Sequence, residues 1–331
     1  MIGIANFFKD WGNESMKLSI VIPFYNEENM IQKMYDALVK EINQITQAEF
    51  ELIFINDGSK DRTFEKMLAI ADADSRVKYI SFSRNFGKEA GTIAGLEYAT
   101  GEAVILMDGD LQHPPALLPK MIAAYQEGYD VVSARRTRTG EKPHRTFLAK
   151  HFYKLANKMM DIELMDGVSE FRLFSRKAVR AILSLQEYNR FSKGIFSWIG
   201  FKEKVIEYEN QVRTVGETKY SLKFSLNYAI QGILSFNDKP LRMCINLGLF
   251  CLMISVAYVL WSFVQYFVAP DTMVSGYFTT IFSVVLFGGI QLISIGVLGE
   301  YIGKIYYEVK KRPHYLVDQT NMTQKGEQND N

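Results

Sequence analysis

The sequence predicts an α/β domain, built on a mostly parallel sheet with helices on both faces, followed by two membrane-spanning helices. Three observations carry this. Between residues 17 and 218, short apolar runs alternate with longer helix-length segments. Met243–Pro270 and Thr272–Gly299 are each 28 residues long and contain no charged residue. That exceeds the ~20 residues a helix needs to cross a bilayer's hydrocarbon core. Basic residues flank the pair on its outer sides: Lys239 and Arg242 before it, and Lys304, Lys310, Lys311 and Arg312 after it.

Taken in order, residues 1–16 form a leader. Ile4, Phe7, Phe8 and Trp11 share one helical face, and Lys9 and Asp10 break the run, so it does not read as a secretory signal. Strands are expected at Leu18–Pro23, Phe50–Asn56, Val77–Phe82, Ala103–Met107 and Tyr129–Ser133. Helices are expected between them at Asn29–Thr46, Thr63–Asp74, Lys88–Ala99 and Pro115–Glu127. A juxtamembrane region, residues 219–242, follows the domain of residues 17–218. In it Leu222, Leu226, Ala229, Ile230 and Ile233 share a face, as in a helix lying on a membrane surface. The two spans occupy residues 243–300, at about 243–268 and 275–299, and residues 301–331 form a tail. The flanking basic residues place both ends in the cytoplasm and the Asp271 loop outside. Cys244 and Cys251 lie two helical turns apart and cannot pair.

Composition excludes other classes. The chain has 331 residues, 38 Lys+Arg against 37 Asp+Glu, and is 48% hydrophobic. A disordered chain would be less apolar and more highly charged. Two cysteines make no disulfide scaffold, and a net charge of +1 gives no support for a nucleic-acid partner.

In parallel α/β sheets ligands bind outside the carboxyl ends of the strands. Here those ends read Pro23-Phe24-Tyr25-Asn26-Glu27-Glu28, Asn56-Asp57-Gly58-Ser59, Ser83-Arg84-Asn85-Phe86-Gly87-Lys88 and Asp108-Gly109-Asp110-Leu111-Gln112-His113. Asp108 and Asp110, with Gly109 permitting a tight turn and Gln112 adding a neutral oxygen, suit Mg²⁺ or Mn²⁺. His113 reads as a supporting group. Asp-Gly-Asp alone would be a solvated turn, and Asp57 alone a helix cap. Combined with the basic Arg84/Lys88 pair, they have the charge layout of a metal–nucleotide-diphosphate site.

VIPFYNEE, NDGSKDRT, SRNFGKEAG and MDGDLQHPP resemble the motifs of family 2 glycosyltransferases with the GT-A fold, in family order. The segments from Asp166 to Arg176 and from Arg213 to Tyr220 resemble the polyprenyl-phosphate glycosyltransferases. The segment from Gly299 to Glu308, with Arg312-Pro313, is similar to the bactoprenol glucosyltransferase branch; dolichyl-phosphate mannose synthases are more distant. The resemblance implies that residues 17–218 are a GT-A catalytic domain. It implies inverting transfer of a hexose from a UDP-sugar, best UDP-glucose, to undecaprenyl phosphate, for cell-surface glycan modification. Pro23, Tyr25, Glu27, Asp57, Lys88 and Asp108 would hold the nucleotide-sugar. Arg135, Arg145, Arg213 and Lys219 would hold the acceptor phosphate. Asp166 would be a base or an orienting carboxylate, and Asp110 and Arg135 would also serve catalysis. Thr139–Lys150 would be an acceptor loop, and Arg172 would pair with an acidic residue. Glu170 stands where the family often has Asp or Gly. Implied partners are the bilayer, a homo-oligomeric copy, a separate flippase and a downstream glycosyltransferase.

Three alternatives stay open on the residues alone. The same chemistry could use UDP-N-acetylglucosamine, GDP-mannose or an aminoarabinose nucleotide. A non-catalytic nucleotide-binding partner of a membrane complex would need no intact Asp108, Asp110 and Asp166. A processive synthase would carry Gln-x-x-Arg-Trp, which Trp11, Trp198 and Trp261 do not complete.

Overall fold

A computed structural model describes residues 15–137, 157, 165, 167–209, 237–268 and 276–323. They fall into two compact units. The first comprises the described residues up to 137, residues 165 and 167–209, and those from Pro313 on. The second comprises residue 157 and the described residues from 237 to Arg312.

The first unit is an eight-stranded sheet. Its strands are β1 (Met16–Phe24), β2 (Ala48–Asn56), β3 (Val77–Phe82), β4 (Ala103–Leu106), β5 (Val131–Arg136), β6 (Val168–Ser175), β7 (Glu203–Tyr208) and β8 (Val317–Thr320). Their order across the sheet is β7-β5-β6-β4-β1-β2-β3-β8. The pairs β1–β2, β1–β4, β2–β3 and β5–β7 are parallel; β4–β6, β5–β6 and β3–β8 are antiparallel. The expected parallel sheet is therefore its centre, with antiparallel β6 and β8 added. The central strands are buried on both faces, which is why they read as unbroken apolar runs. Leu18, Ile20, Ile22 and Phe24 of β1 point to one face and pack with Ile31, Met34 and Leu38 of α1 (Ile31–Ile42).

The remaining helices of this unit are α2 (Thr63–Ala73), α3 (Lys88–Tyr98), α4 (Leu118–Gln126, after a 3₁₀ turn at Pro115–Leu117), α5 (Arg176–Ser184) and α6 (Ser192–Trp198). Helix α3 carries Gly91 and Gly95 on the side facing the sheet. A Cβ on Gly95 would stand 2.1 Å from Val21 Cγ1, and one on Gly91 would stand 3.2 Å from Pro23 Cβ. Those glycines seat α3 close on β1, and its first residue is Lys88.

The second unit holds two long apolar helices, α7 (Lys239–Val268) and α8 (Tyr277–Lys310). Their apolar stretches have mean hydropathies of 2.2 and 2.3. Most of their large side chains face outward, as Leu292 does at 72% exposure. Such a surface is costly in water and ordinary in lipid. Helix α8 continues past Gly299 to Lys310, where Glu300, Lys304 and Glu308 recur at helix-stabilising intervals of four. Tyr301 OH donates to Asn237 O (2.6 Å), joining the outer ends of the two helices. Both cysteines are free, as their spacing requires.

Candidate active site

The loops after β1 and β2 are laced together. Asn26 N–H donates to Ser59 Oγ (3.0 Å), and Lys60 N–H to Asn26 Oδ1 (2.8 Å). Glu27 N–H donates to Thr63 Oγ1 (2.8 Å), and Glu28 N–H to Asp61 Oδ2 (3.2 Å). Asn26 adopts φ 53°, a conformation asparagine tolerates better than most residues. Gly58 is required twice over: its φ is +62°, and a Cβ there would lie 2.2 Å from the Arg84 carbonyl carbon.

Asp57 is buried at the end of β2 and turned toward the loop after β3. It accepts from Phe86 N (2.7 Å), Gly87 N (3.0 Å to Oδ2) and Asn85 Nδ2 (3.0 Å). Burial pushes its carboxyl up, against the pull of those N–H groups and of Arg84. Asp57 thus shapes the loop that leads into α3. Outside this loop, a cavity of about 590 Å³ opens at the carboxyl ends of the strands. Tyr25 from β1's end, Asn56 and Gly58 to Lys60 from β2's end, and Ser81 to Asn85 from β3's end line it, with Asp318 and Gln319 of β8. This volume falls in the range of small-molecule sites.

The Arg84/Lys88 pair divides. Arg84 lines the cavity, its guanidinium 4.0 Å over the Phe86 ring. Lys88 joins a carboxylate cluster: its Nζ is 2.5 Å from Asp108 Oδ1 and 2.5 Å from Glu170 Oε2. Burial alone would lower Lys88, but these two carboxylates outweigh it and hold the ammonium well above its ordinary range. Asp108 stands two residues past β4, the strand beside β1. Its N–H donates to His113 Nδ1 (3.2 Å). Burial pushes His113 down, and its ring stacks on Phe171 (5.5 Å), so it serves as a neutral buttress. Asp110 Oδ1 accepts from Gln112 N–H (3.1 Å).

Gly109 lies in the expected turn with Asp110, though not in a left-handed conformation. The left-handed residue of this loop is Leu111 (φ 58°), a conformation that costs a bulky side chain energy and is concentrated at functional sites. Gly109 is needed for close approach: a Cβ there would lie 2.5 Å from Phe24 Cε1. Asp108, Asp110 and Gln112 offer hard oxygen donors from one loop. Among the described residues no three His, Cys, Asp or Glu side chains gather into a complete metal cage. An incomplete carboxylate shell suits Mg²⁺ or Mn²⁺, which share their coordination with water and substrate phosphates.

Glu170, whose place in the motif is unusual, is Lys88's second carboxylate. Arg172, two residues along β6, is 3% exposed; its Nε donates to Ser169 O (3.3 Å), while its Nη1, 3.7 Å from Glu203 Oε1, makes no hydrogen bond. Its acidic partner is thus Glu203 of β7. The sequence reading missed Lys193 and Glu89. Burial lowers Lys193, which feels the charges of Glu170, Lys88 and Asp108. Glu89 is pushed up by burial and accepts from Ser192 Oγ and Ser192 N–H. A lysine in Ser-Lys-Gly carries no local signal of burial; only α6 packing across the sheet end supplies it.

Pro23 packs on Gly91, Tyr25 lines the cavity, and Glu27 N–H binds Thr63 Oγ1. Arg135 pairs with Glu207 across β5 and β7, a half-exposed pair. Asp166, Arg145, Arg213, Lys219, residues Thr139–Lys150 and the Leu222–Leu234 face lie outside the described residues. Gly167, next to Asp166, accepts from Arg136 N–H through its carbonyl (3.0 Å) and adopts φ 75°.

Residues 19–183 match the family described as glycosyl transferase family 2, and residues 239–305 match the GtrB C-terminal hairpin. A putative glycosyltransferase, CsbB, from Bacillus subtilis (strain 168) is 50% identical over 308 residues, 93% of each chain. The chain belongs to glycosyltransferase family 2. Within that family, a bactoprenol glucosyl transferase of Shigella phage SfX is 43% identical over 91% of this chain and 99% of its own. A crystal structure of glucosyl-3-phosphoglycerate synthase from Mycobacterium tuberculosis, with Mn²⁺, UDP and glucosyl-3-phosphoglycerate, is similar at TM-score 0.41 and 19% identity. That similarity covers 66% of this chain and 78% of the synthase.

Proposed function

We propose that this glycosyltransferase transfers glucose, with inversion, from UDP-glucose to undecaprenyl phosphate at the cytoplasmic face of the membrane. The supporting observation is one chain that carries a strand-end cavity, a Lys88–Asp108–Glu170 cluster and an apolar helical hairpin. A water-soluble donor and a lipid acceptor require those features together.

The acceptor is a phosphate monoester, largely ionised near neutral pH by analogy with protein phosphates, so it needs little help from a base. The enzyme's task is to align it with the sugar and to stabilise the departing diphosphate. Asp108, Asp110 and Gln112 would hold Mg²⁺ or Mn²⁺, which when bound neutralises diphosphate charge. Tyr25, Pro23, Glu27 and Asp57 form or support the nucleoside end, and Lys88 stands between it and the sugar. Arg135 turns from Glu207 to the acceptor phosphate, at little cost because exposed ion pairs are weak. Arg145, Arg213 and Lys219 complete the acceptor site, and Asp166 orients the reacting centre.

As two consecutive spans, α7 and α8 bring the chain into the membrane and out again on one side. The flanking lysines and arginines make that side cytoplasmic. A homo-oligomer in the membrane, a flippase and a downstream glycosyltransferase complete the proposed setting. The test is to offer the purified enzyme, with Mg²⁺ and undecaprenyl phosphate, a panel of radiolabelled nucleotide sugars. UDP-glucose should label the lipid most rapidly; labelling only from GDP-mannose or UDP-N-acetylglucosamine would overturn the donor assignment.

A further inference from the structure

Nothing in the strand-end motifs accounts for one wall of the cavity. It is made by β8, which lies beyond the second apolar helix and returns to the free edge of the sheet beside β3. The return is firmly fixed. Tyr315 stacks on Phe82 (4.9 Å) and its hydroxyl donates to Glu97. Ser83 N–H donates to Leu316 O (3.1 Å), and Tyr79 N–H donates to Asn321 Oδ1 (2.8 Å).

The pairing is irregular at one place. Ser81 faces Gln319, but Phe82 faces Val317, so Asp318 is an extra residue in β8. Such bulges re-aim side chains and recur beside active sites. Here Asp318 and Gln319 both line the cavity, together with Tyr25, Lys60 and Arg84. Gln319 Nε2 lies 3.4 Å from Asp318 Oδ2. A carboxylate accepts from hydroxyls, and a carboxamide both donates and accepts. Together they complement a ribose and the N–H and C=O edge of a base. They offer no positive charge for phosphate.

We infer that Asp318 and Gln319 of the C-terminal strand are donor-recognition residues that contact the nucleoside of the nucleotide-sugar. This deepens the proposed function and rests on its reading of the cavity as the nucleoside end of the donor site. It also means that the donor pocket is completed only by residues that follow the membrane hairpin in the chain.

The test uses the full-length enzyme in detergent with Mg²⁺, comparing the parent with D318A, Q319A and the double variant. Calorimetric titrations with UDP and with inorganic pyrophosphate are run side by side. The expected result is at least 10-fold weaker UDP binding in the double variant, with pyrophosphate binding unchanged. Equal UDP affinity in parent and variant overturns the inference. Equal loss for UDP and pyrophosphate also overturns it, because the strand would then be only a structural prop. If the parent prefers GDP to UDP, the UDP-glucose reading fails, and the same comparison made with GDP decides the role of β8.

Discussion

Lys88 Nζ lies 2.5 Å from Asp108 Oδ1, so the first residue of α3 is tied to the acidic loop after β4. The same ammonium reaches Glu170 of β6 at 2.5 Å. One cation therefore bridges two carboxylates and offsets one of their two negative charges, beside the proposed diphosphate site. Its position depends on α3 lying close on β1, which Gly91 and Gly95 allow.

Removing that cation should be costly. Lys88→Met is expected to lower kcat/KM for UDP-glucose by about 10²–10³-fold, the range for losing one preorganised electrostatic group. Steady-state rates on lipid acceptor measure this. Activity within threefold of the parent would remove Lys88 from the donor site.

Gly95→Ala should destabilise the protein although alanine is the better helix former by about 1 kcal/mol. The added methyl would meet Val21 Cγ1 at 2.1 Å, and overpacking of this kind costs about 1–3 kcal/mol. Thermal unfolding in detergent should show a lower midpoint. A raised midpoint would mean that α3 does not pack on β1 as described.

Arg135→Ala should raise the KM for undecaprenyl phosphate about 10-fold or more while leaving that for UDP-glucose within about twofold, as for loss of a charged hydrogen bond worth about 1.5–3 kcal/mol. Glu207→Gln, which frees Arg135 from its partner on β7, should not weaken acceptor use. Parallel changes in both KM values for Arg135→Ala would misplace the acceptor site.

Stability should depend on pH through Asp74. Hydrogen bonding from Arg76 holds its carboxyl down at about 2 against an ordinary 3.8, with burial opposing. A depressed folded-state pKa gives stability that is present above 3.8 and lost as pH falls toward 2. After allowance for solvent screening the contribution is on the order of 1 kcal/mol. Asp74→Asn should therefore lower the unfolding midpoint at pH 6, and the difference should shrink below about pH 3.5. A difference independent of pH would assign the effect to packing.

The centre of the fold was legible because β1, β2 and β4 are buried on both faces, so their apolar runs announce themselves. β6 was read as a motif: Val-Ser-Glu-Phe-Arg-Leu-Phe-Ser mixes a glutamate paired with Lys88 and a buried arginine into a strand. β8 is Val-Asp-Gln-Thr, which has no apolar pattern, and only its pairing with β3 makes it a strand. The strand-end residues were legible as chemistry, but their partners were not. That Asp57 binds the Phe86–Gly87 backbone, that Glu170 shares Lys88 with Asp108, and that half-buried Lys193 feels their charges are all tertiary facts. Local sequence carries no record of them.

The proposed reaction is glucosyl transfer to a polyprenyl phosphate at the Asp108–Asp110 loop. The most direct measurement is mass spectrometry and anomeric NMR of the lipid formed from UDP-glucose and undecaprenyl phosphate, by the parent enzyme and by Asp110→Ala. The parent should form a β-linked glucosyl undecaprenyl phosphate, with none after removal of divalent metal and none from Asp110→Ala. An unmodified lipid from the parent, or undiminished product from Asp110→Ala, would contradict it.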